Sequence, residues 1–226
     1  CDDLYMLGPP ADVAKAFEIW HGLTEQACEA ANVSKCKAFS RSPAALAAVA
    51  PLLPAGVEIL DPDGGMKILG SPYGSDDFCR GFYLTRASKT AVLVGHLCEL
   101  ARYPAKLAVQ SAYILLRFCA EPKIAHLLRA APPDLIWAAA GVHDGHILAG
   151  LNAVLGPGNL LRLATDPEEI AQFEAGGEDD WRLQSTDWTA EMRAAAALAR
   201  KQARMPLREG GLGLTSAQQA AAPAYV

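Results

Sequence analysis

The stretch Asp61-Pro62-Asp63-Gly64-Gly65-Met66-Lys67-Ile68-Leu69-Gly70, at positions 61–70, lies where the pattern of the chain changes. Turn-forming residues at 61–65 separate two short apolar runs, 56–60 and 66–69, which predicts a β-hairpin made of these two runs. From position 75 onward apolar residues recur at helical spacing, and prolines divide the helices. The sequence therefore predicts an α+β fold, in which a small hairpin-containing part is followed by a mostly α-helical bundle.

The segments on either side of this stretch complete the prediction. Residues 1–7 form a short apolar run that is broken by Asp2-Asp3 and stops at Gly8-Pro9-Pro10, which is typical of a buried strand that begins at a turn. Further periodic or apolar segments predict the remaining elements. Helices are expected at 11–31, 43–50, 75–100, 106–119, 122–129, 134–155 and 188–204, a short strand at 37–40, and a last short helix after the glycine-rich residues 210–213.

The composition excludes several classes of protein. The chain has 226 residues, of which 51% are hydrophobic and 20% are charged, so it can bury a core and is not a disordered polyelectrolyte. No apolar run approaches the roughly 18 residues of a membrane span, and the chain starts without a signal-peptide pattern. We therefore expect an intracellular protein of the nucleus or cytoplasm, with no membrane contact. Six cysteines without CxxC spacing argue against a zinc site.

The net charge of −5 is unevenly distributed. Residues 1–63 carry 4 Lys+Arg against 9 Asp+Glu, a net charge of −5. Residues 64–133 carry 9 Lys+Arg against 4 Asp+Glu, a net charge of +5. Residues 134–226 carry 7 Lys+Arg against 12 Asp+Glu, again a net charge of −5. The overall acidity argues against a free-standing nucleic-acid binder, but a basic helical block can contact phosphates. The alternative interpretation is a set of solvated helix faces.

Asp2-Asp3 is the sharpest chemical feature of the sequence. Adjacent carboxylates repel each other, and a divalent cation is one way to stabilise them. Mg²⁺ prefers carboxylate oxygens together with substrate phosphates, and two such ions support in-line displacement at phosphorus. A solvated turn is the alternative for an isolated Asp-Asp pair.

The order of the motifs strengthens the first interpretation. Asp2-Asp3, a predicted helix of about 20 residues, Asn32-Val33-Ser34-Lys35 and Met66-Lys67-Ile68-Leu69-Gly70 follow one another. This order resembles the second half of the palm of a reverse transcriptase, an RNA-directed DNA polymerase. The later strings Leu69-Gly70-Ser71-Pro72-Tyr73-Gly74-Ser75 and Pro206-Leu207-Arg208-Glu209-Gly210-Gly211-Leu212-Gly213-Leu214 resemble the region after the palm in polymerases of retroelements.

The resemblance implies a role for each matching residue. Asp2 and Asp3 match the pair that binds the catalytic metal ions, and Lys35 matches the lysine that assists the departing pyrophosphate. Ile68, Leu69 and Gly70 match the hairpin that grips the primer strand. Residues 1–74 would then be a partial palm, 75–185 a helical thumb-like region, and 186–226 a C-terminal helix with a glycine-rich tail. We expect the backbone of the template–primer to contact Lys89, Arg102 and Lys106.

The resemblance also implies partners and a cofactor. An RNA template and a DNA primer would be the partners, and two Mg²⁺ ions, with Mn²⁺ as a substitute, would be the cofactor. The family's site needs a further Asp from an earlier palm strand and fingers that hold the nucleotide. Since neither precedes Asp2 in this chain, we expect the natural start to lie upstream and the chain alone not to polymerise.

Two other interpretations of the residues remain open. The chain could be a non-catalytic helical module that binds a protein or a nucleic acid, since its acidic and basic blocks are complementary. His143-x-x-His146 could bind a metal ion, but it lacks a third ligand, so ordinary helix-surface or interface histidines are the preferred interpretation. Gly210-Gly211-Leu212-Gly213 lacks the Lys-Ser/Thr of a phosphate loop and is interpreted as a turn.

Overall fold

The computed structural model describes residues 4–27, 32–105, 107–155, 198–199, 201–209 and 211–225. The chain divides into two units, Cys1–Cys79 and Arg80–Val226. The described residues are mostly helical and include one parallel and one antiparallel pair of short strands. The expected α+β class is therefore confirmed at this coarse level. Within the described ranges, no helix combines the length and the hydropathy that crossing a membrane requires.

The first unit contains two helices, two strand pairs and the beginning of a third helix. Helix α1 packs against α2, and the buried Phe17 of α1 contacts Trp20 edge-on with ring centroids 5.5 Å apart. The elements in chain order are α1 (Pro10–Gln26), a 3-10 turn (Val33–Lys35), β1 (Lys37–Ala38), α2 (Pro43–Val49), a 3-10 turn (Ala50–Leu52), β2 (Glu58–Ile59), β3 (Gly65–Ile68), β4 (Ser71–Gly74) and α3 (Asp76–Arg102).

Local chemistry explains where these helices begin. Pro10 stands in the first turn of α1, where the missing N–H costs no hydrogen bond. The Ser42 hydroxyl accepts the Ala45 N–H and caps α2. The Ser75 hydroxyl accepts the Phe78 N–H at the start of α3 and donates to the Asp63 carbonyl, so it also fixes the preceding loop. All three helices begin within one residue of the predicted starts.

The predicted hairpin between residues 56–60 and 66–69 is wrong. Strand β2 pairs in parallel with β1, with the Glu58 N–H donating to the Cys36 carbonyl over 3.0 Å. Strand β3 pairs instead with β4 in an antiparallel ladder that runs from Gly65–Gly74 to Ile68–Ser71. A two-residue turn with glycine at its second position brings β4 directly onto β3, so this local pairing wins over the one across residues 61–65.

The strand predicted at residues 1–7 is also not observed where the structure describes it. Residues 4–7 have no ladder partner among the described residues, and Leu4 and Leu7 are exposed. An extended segment without a neighbouring strand leaves its backbone groups to water. Residues 1–3 lie outside the described ranges.

The second unit is helical. Its elements after α3 are α4 (Ala108–Leu115), a π-helical turn (Leu116–Ala120), a 3-10 turn (Glu121–Ile124), α5 (Ala125–Ala130), α6 (Pro133–Leu155), a 3-10 turn (Leu207–Glu209) and α7 (Ala217–Ala224). Residues 198–199 and 201–204 are helical as well. The helix start predicted at 188 lies outside the described residues.

Proline explains why the predicted helix 106–119 is divided. Pro122 has no N–H for the carbonyl of Phe118 and its ring crowds that carbonyl, so a regular α-helix cannot continue through this point. The ladder widens into a π-helical turn at Leu116–Ala120 and then tightens into the 3-10 turn that contains Pro122. As a result, Glu121 lies at the junction rather than on a regular helix face.

The core of this unit forms where α3, the π-helical turn and α6 meet. A Cβ atom at Gly150 would lie 2.6 Å from a Val94 methyl group and 3.0 Å from one of Leu116, so only glycine allows this close approach. The buried apolar residues of the cluster are Val94, Leu97, Leu116, Ala120, Ile147, Leu151, Ala203 and Leu214. The last of them belongs to the segment 211–225, which we name the C-terminal strap.

Candidate nucleic-acid interface

The turn of the β3–β4 hairpin carries the three residues assigned to the primer grip. Ile68 ends β3, and Leu69 and Gly70 form the two-residue turn, with φ of 48° and 90°. Two positive φ values are typical of type I′ hairpin turns. Gly70 adopts this conformation freely, but it costs a non-glycine residue such as Leu69 about 1 kcal/mol. Since Leu69 is 77% exposed, burial does not offset this strain. Strained residues of this kind cluster at functional sites.

The beginning of the described chain reaches this turn. The Leu69 N–H donates a hydrogen bond to the Tyr5 hydroxyl oxygen over 3.3 Å, although the two residues are 64 positions apart. Asp3 stands two positions before Tyr5 in the sequence. The hydrogen bond therefore links the hairpin tip to the segment that directly follows the paired aspartates.

An aromatic contact lies on the other strand of the hairpin. Tyr73 pairs with Met66 across the ladder, and its ring meets the ring of Phe39 edge-on, with centroids 5.9 Å apart and planes at 84°. Tyr73 remains 55% exposed. Two exposed residues, Leu69 and Tyr73, therefore occupy the tip and the second strand of one hairpin.

The proposed metal ligands cannot be placed beside these residues. Asp2 and Asp3 lie outside the described residues. Lys35 is described: it ends the 3-10 turn Val33–Lys35, where its N–H donates to the Asn32 carbonyl over 3.0 Å, and it is exposed. The described residues hold no group of three or more His, Cys, Asp or Glu side chains arranged to bind a metal ion.

The basic residues expected to contact a nucleic-acid backbone are not gathered in one patch. Lys89 and Arg102 are both exposed on α3, but 13 residues of α-helix place them about 20 Å apart along the axis and about 140° apart around it. Lys106 lies outside the described residues. The two described cations therefore lie on different sides of the helix.

A tighter stripe of nitrogen-bearing side chains on α3 shares only Lys89 with the expected set of contacts. Arg86, Lys89 and His96 fall within about 80° of the helix circumference. The Arg86 guanidinium lies 5.3 Å from the centre of the Phe82 ring, which is a cation–π contact that fixes the side chain. The signal is present in the sequence, since the spacing of 3 and 7 residues puts these side chains on one face.

The histidine pair of α6 is buried, so the expected alternative of a helix-surface position is wrong. His143 is 1% exposed, and its Nε2 lies 2.9 Å from the Glu121 carbonyl oxygen. A carbonyl only accepts, so Nε2 donates, and Nδ1 accepts the Thr90 hydroxyl at 3.1 Å. Burial lowers the pKa of His143. The neutral ring therefore joins α3, α6 and the 3-10 turn. His146 is also buried.

Asp144, the neighbour of His143, holds the C-terminal strap. Its carboxylate accepts the Ser216 hydroxyl, the Ala217 N–H at 2.7 Å and the Gln218 N–H at 3.4 Å. Ser216 in turn accepts the Gln219 N–H as the N-cap of α7. The Arg204 guanidinium lies 3.9 Å from the carboxylate. The buried Asp144 carboxylate therefore accepts N–H groups at the start of α7. These hydrogen bonds serve the structure, because they hold the strap against α6.

Glu121 holds the same strap from the 3-10 turn. Its Oε1 accepts the Thr215 N–H at 3.0 Å, while its Oε2 is buried without a hydrogen-bond partner. Burial is the largest cause that raises the pKa of this carboxyl group, and the Thr215 hydrogen bonds and Arg117 partly oppose it. One sign of this network is visible in the sequence, namely polar residues inside the apolar helix 134–155.

Comparison with known proteins adds no relative. No protein-family model, no curated protein and no solved structure matched the chain.

Proposed function

We propose that this chain is part of a reverse-transcriptase-like polymerase, whose parent activity is RNA-directed DNA synthesis by nucleotidyl transfer. In this proposal residues 1–74 belong to the end of the palm, the β3–β4 hairpin is the primer grip, and residues 75–185 belong to a thumb-like region. Residues 186–226 are the C-terminal part that follows it. An RNA template and a DNA primer are the partners of the parent protein.

The roles of the residues follow from this assignment. Asp2 and Asp3 would hold Mg²⁺, which supplies charge neutralisation for in-line displacement at phosphorus. Lys35, an exposed cation, would stabilise the departing pyrophosphate. Ile68, Leu69 and Gly70 would hold the primer strand at the hairpin tip. In this proposal these residues act within the parent protein.

The hydrogen bond between Tyr5 and Leu69 is the observation that carries the proposal. Nucleotidyl transfer needs the primer end to be positioned within a few ångströms of the metal ligands. The hairpin tip is bonded to a residue two positions after Asp3, although 64 residues separate the partners. This contact supports the proposal, because it joins the hairpin tip to the segment that follows the assigned metal ligands in the sequence.

Binding to an RNA–DNA duplex tests the proposal. We expect the full chain to bind a labelled duplex with a recessed primer end, and the logarithm of the affinity to fall linearly with the logarithm of salt between about 50 and 200 mM. Replacing Lys89, Arg102 and Lys106 with alanine should weaken binding and reduce the slope by about one for each phosphate that is no longer neutralised. Fluorescence anisotropy measures both quantities.

A matched variant separates specific contacts from net charge. Lys15, Lys201 and Arg208 are exposed cations outside the basic block, and their replacement removes the same charge. We expect this variant to keep most of the affinity and the slope. Equal losses of affinity in both triple variants would contradict the proposal, as would binding no tighter than that of a control protein with equal net charge.

One observation favours a second candidate, a non-catalytic helical interaction module. The face of α4 and the following π-helical turn exposes Leu107, Ile114 and Phe118, and positions 107–116 contain no charged residue. An apolar helix face of this kind is typical of protein contacts. The same duplex titration decides between the candidates, since a module of this kind has no reason to prefer a duplex over the charge-matched control.

A further inference from the structure

We propose that the exposed ring of Tyr73 is a stacking surface for an unpaired nucleobase at the end of a nucleic-acid strand. This inference rests on the proposed function, because it names the part of the substrate that the β3–β4 hairpin contacts. Stacking on an aromatic ring is tolerant of base identity, since every base has a π-face.

The position of Tyr73 supports this assignment. It stands two residues after Ser71, which closes the turn next to Leu69 and Gly70, so it lies on the same hairpin, about 7 Å along the strand from the assigned primer grip. More than half of the side chain is exposed, while the cross-strand partner Met66 is half-buried. A large exposed ring on a four-residue strand gains little from its own fold and is available to a ligand.

The contact with Phe39 prepares the ring for stacking. The edge-to-face geometry, with planes at 84°, restrains the Tyr73 ring from a second segment of the chain. A restrained aromatic side chain loses less conformational entropy when a ligand stacks on it. Phe39 follows β1, so the restraint comes from outside the hairpin.

The charge of this unit favours a base over a phosphate as the occupant. Residues 1–79 carry 5 Lys+Arg against 11 Asp+Glu, a balance of −6, so charge alone does not attract a polyanion here. The described cations nearest in sequence to the two rings are exposed as well: Lys67 on β3, and Lys37 and Arg41, each two residues from Phe39. Stacking contributes affinity without a basic surface.

A fluorescent base analogue tests the inference. A duplex of RNA and DNA would carry 2-aminopurine as an unpaired base at the 3′ end of the DNA strand, because stacking on a ring quenches its fluorescence. We expect quenching on addition of the full chain, retained in Tyr73→Phe and abolished in Tyr73→Ile. Isoleucine keeps strand propensity and an apolar contact for Phe39 but removes the π-face. For a short single strand we expect about tenfold weaker binding in Tyr73→Ile.

The controls separate this inference from the proposed function. Tyr103→Ile removes an exposed tyrosine of the other unit and should leave the quenching unchanged. Quenching in Tyr73→Ile equal to that of the wild-type chain would overturn the inference. Duplex binding by anisotropy without quenching in the wild-type chain would overturn it too and leave the proposed function standing. Absence of both binding and quenching would contradict the proposed function and the inference together.

Discussion

The Glu121 side chain lies in a site that favours its protonated form. Its buried Oε2 has no hydrogen-bond partner, and burial raises the pKa of the group. A raised folded-state pKa means that the folded chain binds the proton more tightly than the unfolded chain. The resulting stabilisation is complete below the ordinary pKa of a glutamate and disappears as the pH rises through the folded-state pKa.

Glu121→Gln should therefore stabilise the protein at high pH. The amide oxygen can still accept the Thr215 N–H, and the buried negative charge near Asp144 is gone. We expect the free energy of unfolding at pH 8 to rise by about 1 kcal/mol and its pH dependence to flatten. Urea unfolding at several pH values measures both. Glu99→Gln on the exposed side of α3 is the control and should change neither; a uniform decrease of stability in Glu121→Gln would contradict the assignment.

His143 should give pH dependence of the opposite sign. Its pKa is lowered by burial, so the neutral ring contributes stability that is complete above the ordinary pKa of a histidine and disappears as the pH falls towards the folded-state pKa. His143→Gln should lower the free energy of unfolding by about 2 kcal/mol at pH 7, because Thr90 and the Glu121 carbonyl no longer have their partner. It should also flatten the decrease of stability at acidic pH, which we name the acid branch. The exposed His126, changed to Gln, is the control and should keep the wild-type acid branch. An unchanged acid branch in His143→Gln would be the contrary result.

At the scale of elements, the two-residue turn Leu69-Gly70 of the β3–β4 hairpin is not the most stable sequence for a turn of this type. Asn-Gly is preferred in type I′ turns because asparagine tolerates positive φ better than leucine does. Leu69→Asn should raise the free energy of unfolding by up to about 1 kcal/mol, since the exposed leucine gives up little burial. Leu52→Asn changes another exposed leucine, whose φ is not positive, and should give no gain. Thermal unfolding followed by circular dichroism compares the two, and an equal or larger decrease of stability in Leu69→Asn would contradict the argument.

The elements also show what can and cannot be predicted from the sequence. Helices with clear starts, such as those at Pro10, Pro43 and Ser75, are predicted closely because capping is local chemistry. The predicted hairpin lies one segment too early, because Asp61-Pro62-Asp63 looks like a hairpin turn while the actual turn contains a leucine with positive φ. Pairing between β1 and β2 depends on contacts across about 20 residues, which no local pattern reports.

The candidate site shows the same difference between local features, which can be predicted from the sequence, and long-range contacts, which cannot. Leu69 and Gly70 are selected by a motif, but their link to Tyr5 is a contact across 64 residues. The network of Asp144 and Glu121 escapes prediction because each of these residues has partners on distant elements. Asp2, Asp3 and Lys106 stay predictions, since they lie outside the described residues.

At the scale of the whole molecule, the C-terminal strap belongs to the second unit and should stabilise that unit alone. Truncation after Glu209 removes the Ser216, Ala217 and Gln218 donors to the Asp144 carboxylate and uncovers the side of α6 on which α7 packs. A hydrogen bond to a charged group contributes about 1.5–3 kcal/mol. We expect amide hydrogen exchange to accelerate along α6 and to stay unchanged along α1, which packs on α2 in the other unit. Equal acceleration in α1 and α6 would mean that the two units unfold as one.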